Sequence, residues 1–278
     1  MMLNLVIQGP ALADADLRHL AHLSGSRQIE RLAPDAGLLV GAQHRPGVAE
    51  YCSRAGLDFG FIPESRRLAD MGLLAIDMDS TLITIECIDE IADLAGVKAE
   101  VSAITAAAMS GDIDYAESLR RRVGLLRGLD QDALARVYDD RLLLSPGAET
   151  MLAAMRRAGV KTLLVSGGFS FFTGRLEARL GLDYSLANVL EIEGGRLTGK
   201  VVGGVVDAEA KAAKLRSVRD ELGLTASRTI AIGDGANDLA MMAEAGMSIA
   251  YRAKAVARCK ADYALDYAGL DGVLNLFA

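Results

Sequence analysis

Two aspartates one residue apart, in Asp77-Met78-Asp79-Ser80-Thr81, are the first residues of this sequence whose type and setting point to chemistry. A third, Asp234, stands far away along the chain in Gly233-Asp234-Gly235-Ala236-Asn237-Asp238. A D-x-D pair by itself often does no more than decorate a turn. Here both groups directly follow short apolar runs, Leu73–Ile76 and Thr229–Ile232, and buried charge is costly unless a cation or hydrogen bonds compensate it. Oxygen donors of this kind suit a hard divalent ion, and Mg²⁺ with waters retained fits better than zinc. Ser166 follows a third run, Thr162–Val165, and opens onto Gly167-Gly168, where backbone N–H groups approach an anion closely. Taken alone, that turn is also an ordinary strand-to-helix connection. Lys211 brings a positive charge to the start of the helical stretch Ala208–Leu222, with Lys214 one turn on as a competitor. Gly235 and Asn237 follow Asp234 in a tight loop that turns polar groups inward. The set suits a phosphoryl group.

Composition narrows the chemistry further. All three histidines (His19, His22, His44) lie in the first 44 of 278 residues, so Ser-His-Asp hydrolysis and His-ligated zinc are improbable beyond them. His19 and His22, three apart, read as an ordinary helix face. A catalyst built from the rest should work with carboxylates. At 51% hydrophobic and 24% charged, the chain is too apolar to be disordered. A net charge of −7 argues against a nucleic-acid surface, which needs clustered excess Lys and Arg. The uncharged stretches fall short of the ~18–20 residues of a membrane span, and Met1–Ala13 has no basic region of the kind that opens a secretory signal. Three scattered cysteines (Cys52, Cys87, Cys259) without a C-x-x-C pair point to a reducing cytoplasm.

The elements that must position these residues can be read as well. Three near-continuous apolar runs ending in polar signatures belong to parallel strands buried on both faces. Helical patterns alternate with them over Glu149–Ala158, Thr173–Leu180 and Ala208–Leu222, each ending at a glycine. The expected fold is therefore α/β, a doubly wound parallel (Rossmann-like) sheet whose ligands bind beyond the carboxyl ends of the strands. All three signatures fall at those ends. Residues 71–84 and 145–278 form this core, and residues 85–144 form an inserted helical cap, showing the 3.6 period at Ile88/Ile91/Ala92/Ala95, Val101/Ile104/Thr105/Ala108 and Leu119/Val123/Leu126. The cap carries seven basic against twelve acidic residues, which makes a polyanionic partner improbable. A hairpin turns at Gly194-Gly195 and reads as structural. Residues 1–70 form a small N-terminal α+β domain of order βαββαβ, a ferredoxin-like arrangement.

The order of Asp77-Met78-Asp79-Ser80-Thr81, Ser166, Lys211 and Gly233-Asp234-Gly235-Ala236-Asn237-Asp238 resembles the four motifs of the haloacid-dehalogenase-like phosphatases. Ile85–Ala92, Ser118–Val123 and Val165–Phe169 narrow the resemblance to the phosphoserine phosphatases, over about Leu73 to Tyr251. It implies hydrolysis of O-phospho-L-serine to L-serine, the last step of L-serine biosynthesis. Asp77 would be the nucleophile that forms an aspartyl-phosphate, and Asp79 the acid and then the base. Mg²⁺ would be held by Asp77, the backbone carbonyl of Asp79, and Asp234, with Asp238 supporting the metal or orienting Lys211. Ser166, Gly167, Lys211 and Asn237 would hold the phosphoryl oxygens. Glu86 would take the substrate ammonium and Arg120 its carboxylate, with Met109 and Tyr115 lining the pocket. Relatives carry ACT-like amino-acid-binding modules where residues 1–70 stand. The implied partner is a small molecule rather than a nucleic acid or a membrane, and a homodimer is left open. The alternatives are a related phosphatase or phosphotransferase, for example on phosphohomoserine, and a non-catalytic amino-acid sensor.

Overall fold

The structure, a computed structural model, describes residues 2–278. Its first elements are β1 (Leu3–Gln8), α1 (Asp14–Ser24), β2 (Gln28–Ala33), β3 (Ala36–Ala42), α2 (Val48–Ala55) and β4 (Asp58–Pro63). They build an antiparallel sheet of order β2-β3-β1-β4, so the βαββαβ sequence pattern is realised. Strand alternation divides its side chains between two cores. Leu5 and Ile7 of β1 pack with Leu17, Leu20 and Cys52 beneath the two helices, whereas Val6, Leu38 and Ile62 face the larger body of the protein. Asp58 crosses that seam. Its buried carboxylate accepts backbone N–H groups of Asp266 (2.8 Å), Tyr267 (3.0 Å) and Ala268 (2.8 Å). Burial raises its pKa and the backbone hydrogen bonds oppose the rise.

The larger body starts with β5 (Leu73–Asp77), followed by five helices: α3 (Cys87–Ala95), α4 (Lys98–Met109), α5 (Tyr115–Gly124), α6 (Asp132–Asp140) and α7 (Ala148–Arg157). Then come β6 (Lys161–Phe169), α8 (Ser170–Leu180), β7 (Tyr184–Glu193), β8 (Arg196–Val202), α9 (Ala208–Glu221), β9 (Thr229–Gly233), β10 (Met247–Tyr251) and β11 (Tyr263–Leu265). The seven strands form one sheet of order β11-β10-β9-β5-β6-β7-β8, parallel throughout except for the β7–β8 hairpin. Every residue of β5, β9 and β10 is buried, as an apolar run covered on both faces requires. Register sets the site. Ile76 lies opposite Ile232 on β9 and Asp77 opposite Val165 on β6, so three central strands deliver their polar ends to one rim.

Two details depart from the sequence expectation. The third apolar strand does not stop at Val165: β6 runs on to Phe169, and its pairing with β7 is interrupted between Val165 and Phe169. The Ser166–Gly168 segment leaves the ladder as a bulge, and buried Phe169 pulls the strand back to pair with Asn188. The stretch from Ile85 to Leu144 is also not helix alone, since Ile83 bridges to Leu144 and Asp130 to Arg196. The first bridge closes the neck from which α3–α6 emerge. The hairpin braces them from the far side, through Gly128 N–H to the Leu197 carbonyl and Leu197 N–H to that of Leu129. Among the described residues no helix is long and apolar enough to cross a membrane.

Candidate active site

Asp77 closes β5, and its carboxylate is almost fully enclosed, with 3% of the residue exposed. Lys211, in the first turns of α9, is equally enclosed at 1% and donates to Asp77 Oδ1 and, at 2.8 Å, to Asp238 Oδ1. A lysine alone in such a place would lose its proton. Burial does push it that way, but the Asp238 and Asp77 charges outweigh burial and raise its pKa, so it stays an ammonium. Of the two lysines left open by the sequence, Lys211 is the one delivered to the rim. Asp238 also accepts the backbone N–H groups of Asp234 and Gly235 on Oδ2, both at 3.1 Å. One side chain thus fixes the ammonium and the turn that presents Asp234.

Asp79 turns away from this group. Its Oδ1 caps α3 by accepting the Cys87 N–H at 2.9 Å, and Oδ2 receives the Ser166 hydroxyl at 3.4 Å. A Cβ on Gly168 would stand 2.5 Å from Oδ2, so only glycine lets the acid approach the bulge so closely. Burial raises the pKa of Asp79, and the bonds from Cys87 restrain the rise. The turn that carries it holds Ser80 in the left-handed region at φ 56°, where a non-glycine residue is strained. The Ser80 hydroxyl donates to Glu86 Oε1 at 2.7 Å. Glu86 stands at the cavity mouth, open to solvent on one side and enclosed by protein on the others. That enclosure, with the Asp79 charge next, pushes its carboxyl up to about 7.

The Ser166–Gly168 bulge is held from several directions. Gly168 N–H donates to Ser166 Oγ at 2.8 Å, and the Gly167 carbonyl accepts both Asn188 Nδ2 at 2.8 Å and the Tyr115 hydroxyl at 3.0 Å. Asn188 is itself anchored, with Oδ1 accepting the Val206 N–H at 2.8 Å.

Above these groups lies a cavity of about 840 Å³. Asp77, Asp79, Gly167, Asp234 and Asn237 line its floor, and Glu86, Met109, Tyr115 and Arg122 its roof and mouth. Met109 and Tyr115 therefore lie where the sequence placed them. Arg120 does not. It is exposed on the outer side of α5, while Arg122 reaches the cavity beside Ser118 and Leu119. The reason is helical phase: two residues turn a helix by roughly 200°, and Tyr115, Ser118/Leu119 and Arg122 form one stripe at i, i+3/i+4, i+7. That periodicity was present in the sequence and identifies Arg122 within the Arg120-Arg121-Arg122 run. Asn188 and Lys254, which pairs with Asp234 Oδ2 at 3.5 Å, carried no local signal.

The residues fit a metal ion. Asp77, Asp234 and Asp238 each offer a carboxylate oxygen within 4.8 Å of the others. Asp238 is already engaged by Lys211, the Asn237 side-chain amide and two backbone amides, so Asp77 and Asp234 are the two of the three better placed to take an ion. Asp79, expected to contribute through its backbone carbonyl, sends its side chain elsewhere. Burial raises the pKa of both Asp77 and Asp234, with the Asp238 charge adding to the rise, and a cation between them would relieve that crowding. An all-oxygen donor set selects a hard divalent ion.

The sequence profile of the haloacid dehalogenase-like hydrolases matches residues 74–243, and that of a domain of unknown function matches residues 5–48. A phosphoserine phosphatase of Albidiferax ferrireducens is 51% identical over 223 residues, covering 78% of this chain and 94% of that protein. One from a Polaromonas species is 53% identical over 215 residues, 76% of this chain and 91% of that one. Among solved structures, an unliganded probable phosphoserine phosphatase from Vibrio cholerae superposes with a TM-score of 0.87 at 36% identity, covering 99% of this chain and 86% of that one.

Proposed function

The chain belongs to the haloacid dehalogenase-like hydrolases, and from that membership we infer that it hydrolyses O-phospho-L-serine to L-serine and phosphate, the last step of L-serine biosynthesis. The observation that carries this reading is the convergence of Asp77, Asp234 and Lys211 on one rim beneath a roof bearing an acid, Glu86, and a base, Arg122. Such a pair matches the ammonium and carboxylate of an amino acid whose phosphate rests on the floor.

Asp77, held by Lys211, attacks phosphorus, and the phosphorus–oxygen bond to the seryl group breaks. The departing alkoxide needs a proton, and Asp79, whose pKa burial raises, supplies it. The Asp79 carboxylate then takes a proton from water, whose oxygen attacks the aspartyl-phosphate, frees inorganic phosphate and restores Asp77. Ser166, the Gly167 N–H, Lys211 and Asn237 hold the phosphoryl oxygens. Asp77, Asp234 and the backbone carbonyl of Asp79 would hold Mg²⁺, which would neutralise phosphoryl charge there. Arg122 pairs with the substrate carboxylate, a role for which its planar fork is suited. The free thiols of Cys52 and Cys87, both buried, suit a reducing cytoplasm as the place of action.

Phosphate release from O-phospho-L-serine should exceed that from phosphohomoserine and aryl phosphates, and should vanish on chelation and return with Mg²⁺. Equal rates across the panel, or turnover indifferent to chelation, would refute the assignment.

Glu86 gives the reaction a pH signature. Because its carboxyl is pushed up to about 7, it is neutral below that pH and loses its hold on the ammonium. The ratio of kcat/KM for phosphoserine to that for an aryl phosphate should fall by up to about tenfold per pH unit below 7. Glu86→Gln should lower that ratio and flatten its pH dependence. The aryl substrate cancels the contribution of Asp79 to both profiles.

A further inference from the structure

The Tyr115 hydroxyl spans from the first residue of α5 to the floor of the cavity, where it donates to the Gly167 carbonyl. Among the described residues it is the only side-chain hydrogen bond from α4–α6 to the loops of that floor. Gly167 has no need of glycine for its backbone, since its φ lies outside the left-handed region. What it needs is room. A Cβ there would stand 2.2 Å from the Tyr115 oxygen and 3.2 Å from Tyr115 Cζ, and the next atom, the Val206 carbonyl oxygen, is 3.8 Å away. The space left by the missing side chain is taken by the tyrosine.

The peptide between Gly167 and Gly168 is restrained at both ends. Its carbonyl accepts from Asn188 and Tyr115, and its N–H donates to Ser166 Oγ. Asn188 lies on the same sheet as the bulge, and its other end is tied to Val206 just before α9, the helix that carries Lys211. Its bond persists however α4–α6 stand. The Tyr115 bond exists only when those helices lie down on the rim. Burial pushes the Tyr115 phenol up to about 12, so it remains a donor across the neutral range.

We propose that Tyr115 is the latch of the roof: its bond to the Gly167 carbonyl holds α4 and α5 over the cavity and completes the restraint of the Gly167-Gly168 peptide, so that closing the site and setting its phosphate cradle are one event. Tyr115 acts through Gly167 and is a positioning residue. Its kinetic consequence rests on the phosphatase reading above, and its structural consequence does not.

The test uses the full chain and hydrogen–deuterium exchange of its backbone amides. In Tyr115→Phe, which keeps the ring and removes the donor, amides of α4 and α5 should exchange about fivefold faster, the size of one modest hydrogen bond. Exchange in β1–β4 should not change, whereas a general loss of stability would raise it there too. The KM for O-phospho-L-serine should rise by about the same factor, with the loss falling on KM rather than on kcat. Gly167→Ala should also open the roof, and the double variant Gly167→Ala/Tyr115→Phe should exchange no faster than Gly167→Ala, because both changes break one contact. Unchanged exchange of α4 and α5 in Tyr115→Phe, a rise spread over the whole chain, or additive effects in the double variant would each overturn the latch. Faster exchange in a protein that does not turn over phosphoserine would keep the latch and remove the substrate assignment.

Discussion

Asp77→Asn should fold, bind divalent metal more weakly, and turn over O-phospho-L-serine at least about 10⁴-fold more slowly, with no covalent phosphate on the protein. That factor corresponds to about 5.4 kcal/mol of activation free energy. An amide of the same shape fills the end of β5 and still accepts a hydrogen bond from Lys211. It has no anionic oxygen to attack phosphorus. Folding survives because Asp238 remains to balance the ammonium of Lys211, which is not left as an unpaired buried charge. The measurement is single-turnover labelling with phosphoserine carrying radioactive phosphate, followed by hydroxylamine, which cleaves acyl phosphates. Hydroxylamine-sensitive label in Asp77→Asn would show that another residue is the nucleophile.

Arg122→Ala should lower kcat/KM for phosphoserine by about 10²–10³-fold, the cost of leaving a carboxylate unpaired inside a closed site. Hydrolysis of an aryl phosphate that lacks the amino acid should change by less than about threefold, since nothing on the floor of the cavity is touched. Arg120→Ala should leave both substrates within that same range. The comparison is demanding because the two arginines are two residues apart and chemically identical, so only the phase of α5 separates them. A large loss confined to phosphoserine in Arg120→Ala would mean that α5 is rotated in the working enzyme relative to the arrangement described above.

How much of this was legible in the sequence depends on the range of the interaction concerned. The junctions at Asp77 and Asp234 were legible because a parallel strand buried on both faces must be apolar along its length and can turn polar only at its end. The hairpin at Gly194-Gly195 and the βαββαβ start were legible from local turn chemistry and alternation. Gly167-Gly168 misled for the same reason: two glycines after an apolar run read as the end of a strand, whereas here they open a bulge and Phe169 resumes the pairing. Asp238 was placed correctly near Lys211. Its grip on two backbone amides depended on how tightly Gly233–Asp238 turns, which composition does not reveal. Asn188 was invisible because its partners lie 21 and 18 residues away and meet it only once β6, β7 and the start of α9 are assembled. The arginine was a different kind of miss: Leu119 and Val123 lie equally far around the helix from Arg120 and Arg122, and it is Tyr115, seven residues before Arg122 and on the same face, that separates the two.

The Asp58 seam bears on how the molecule comes apart. A sheet whose inner face supplies Val6, Leu38 and Ile62 to its neighbour's interior, and whose edge carboxylate serves three amides of that neighbour, has no weak plane along which to part. Peeling β1–β4 away wets that apolar face and strips the amides of their acceptor at the same time. Both sheets should therefore melt in one cooperative step, seen as a single transition in calorimetry.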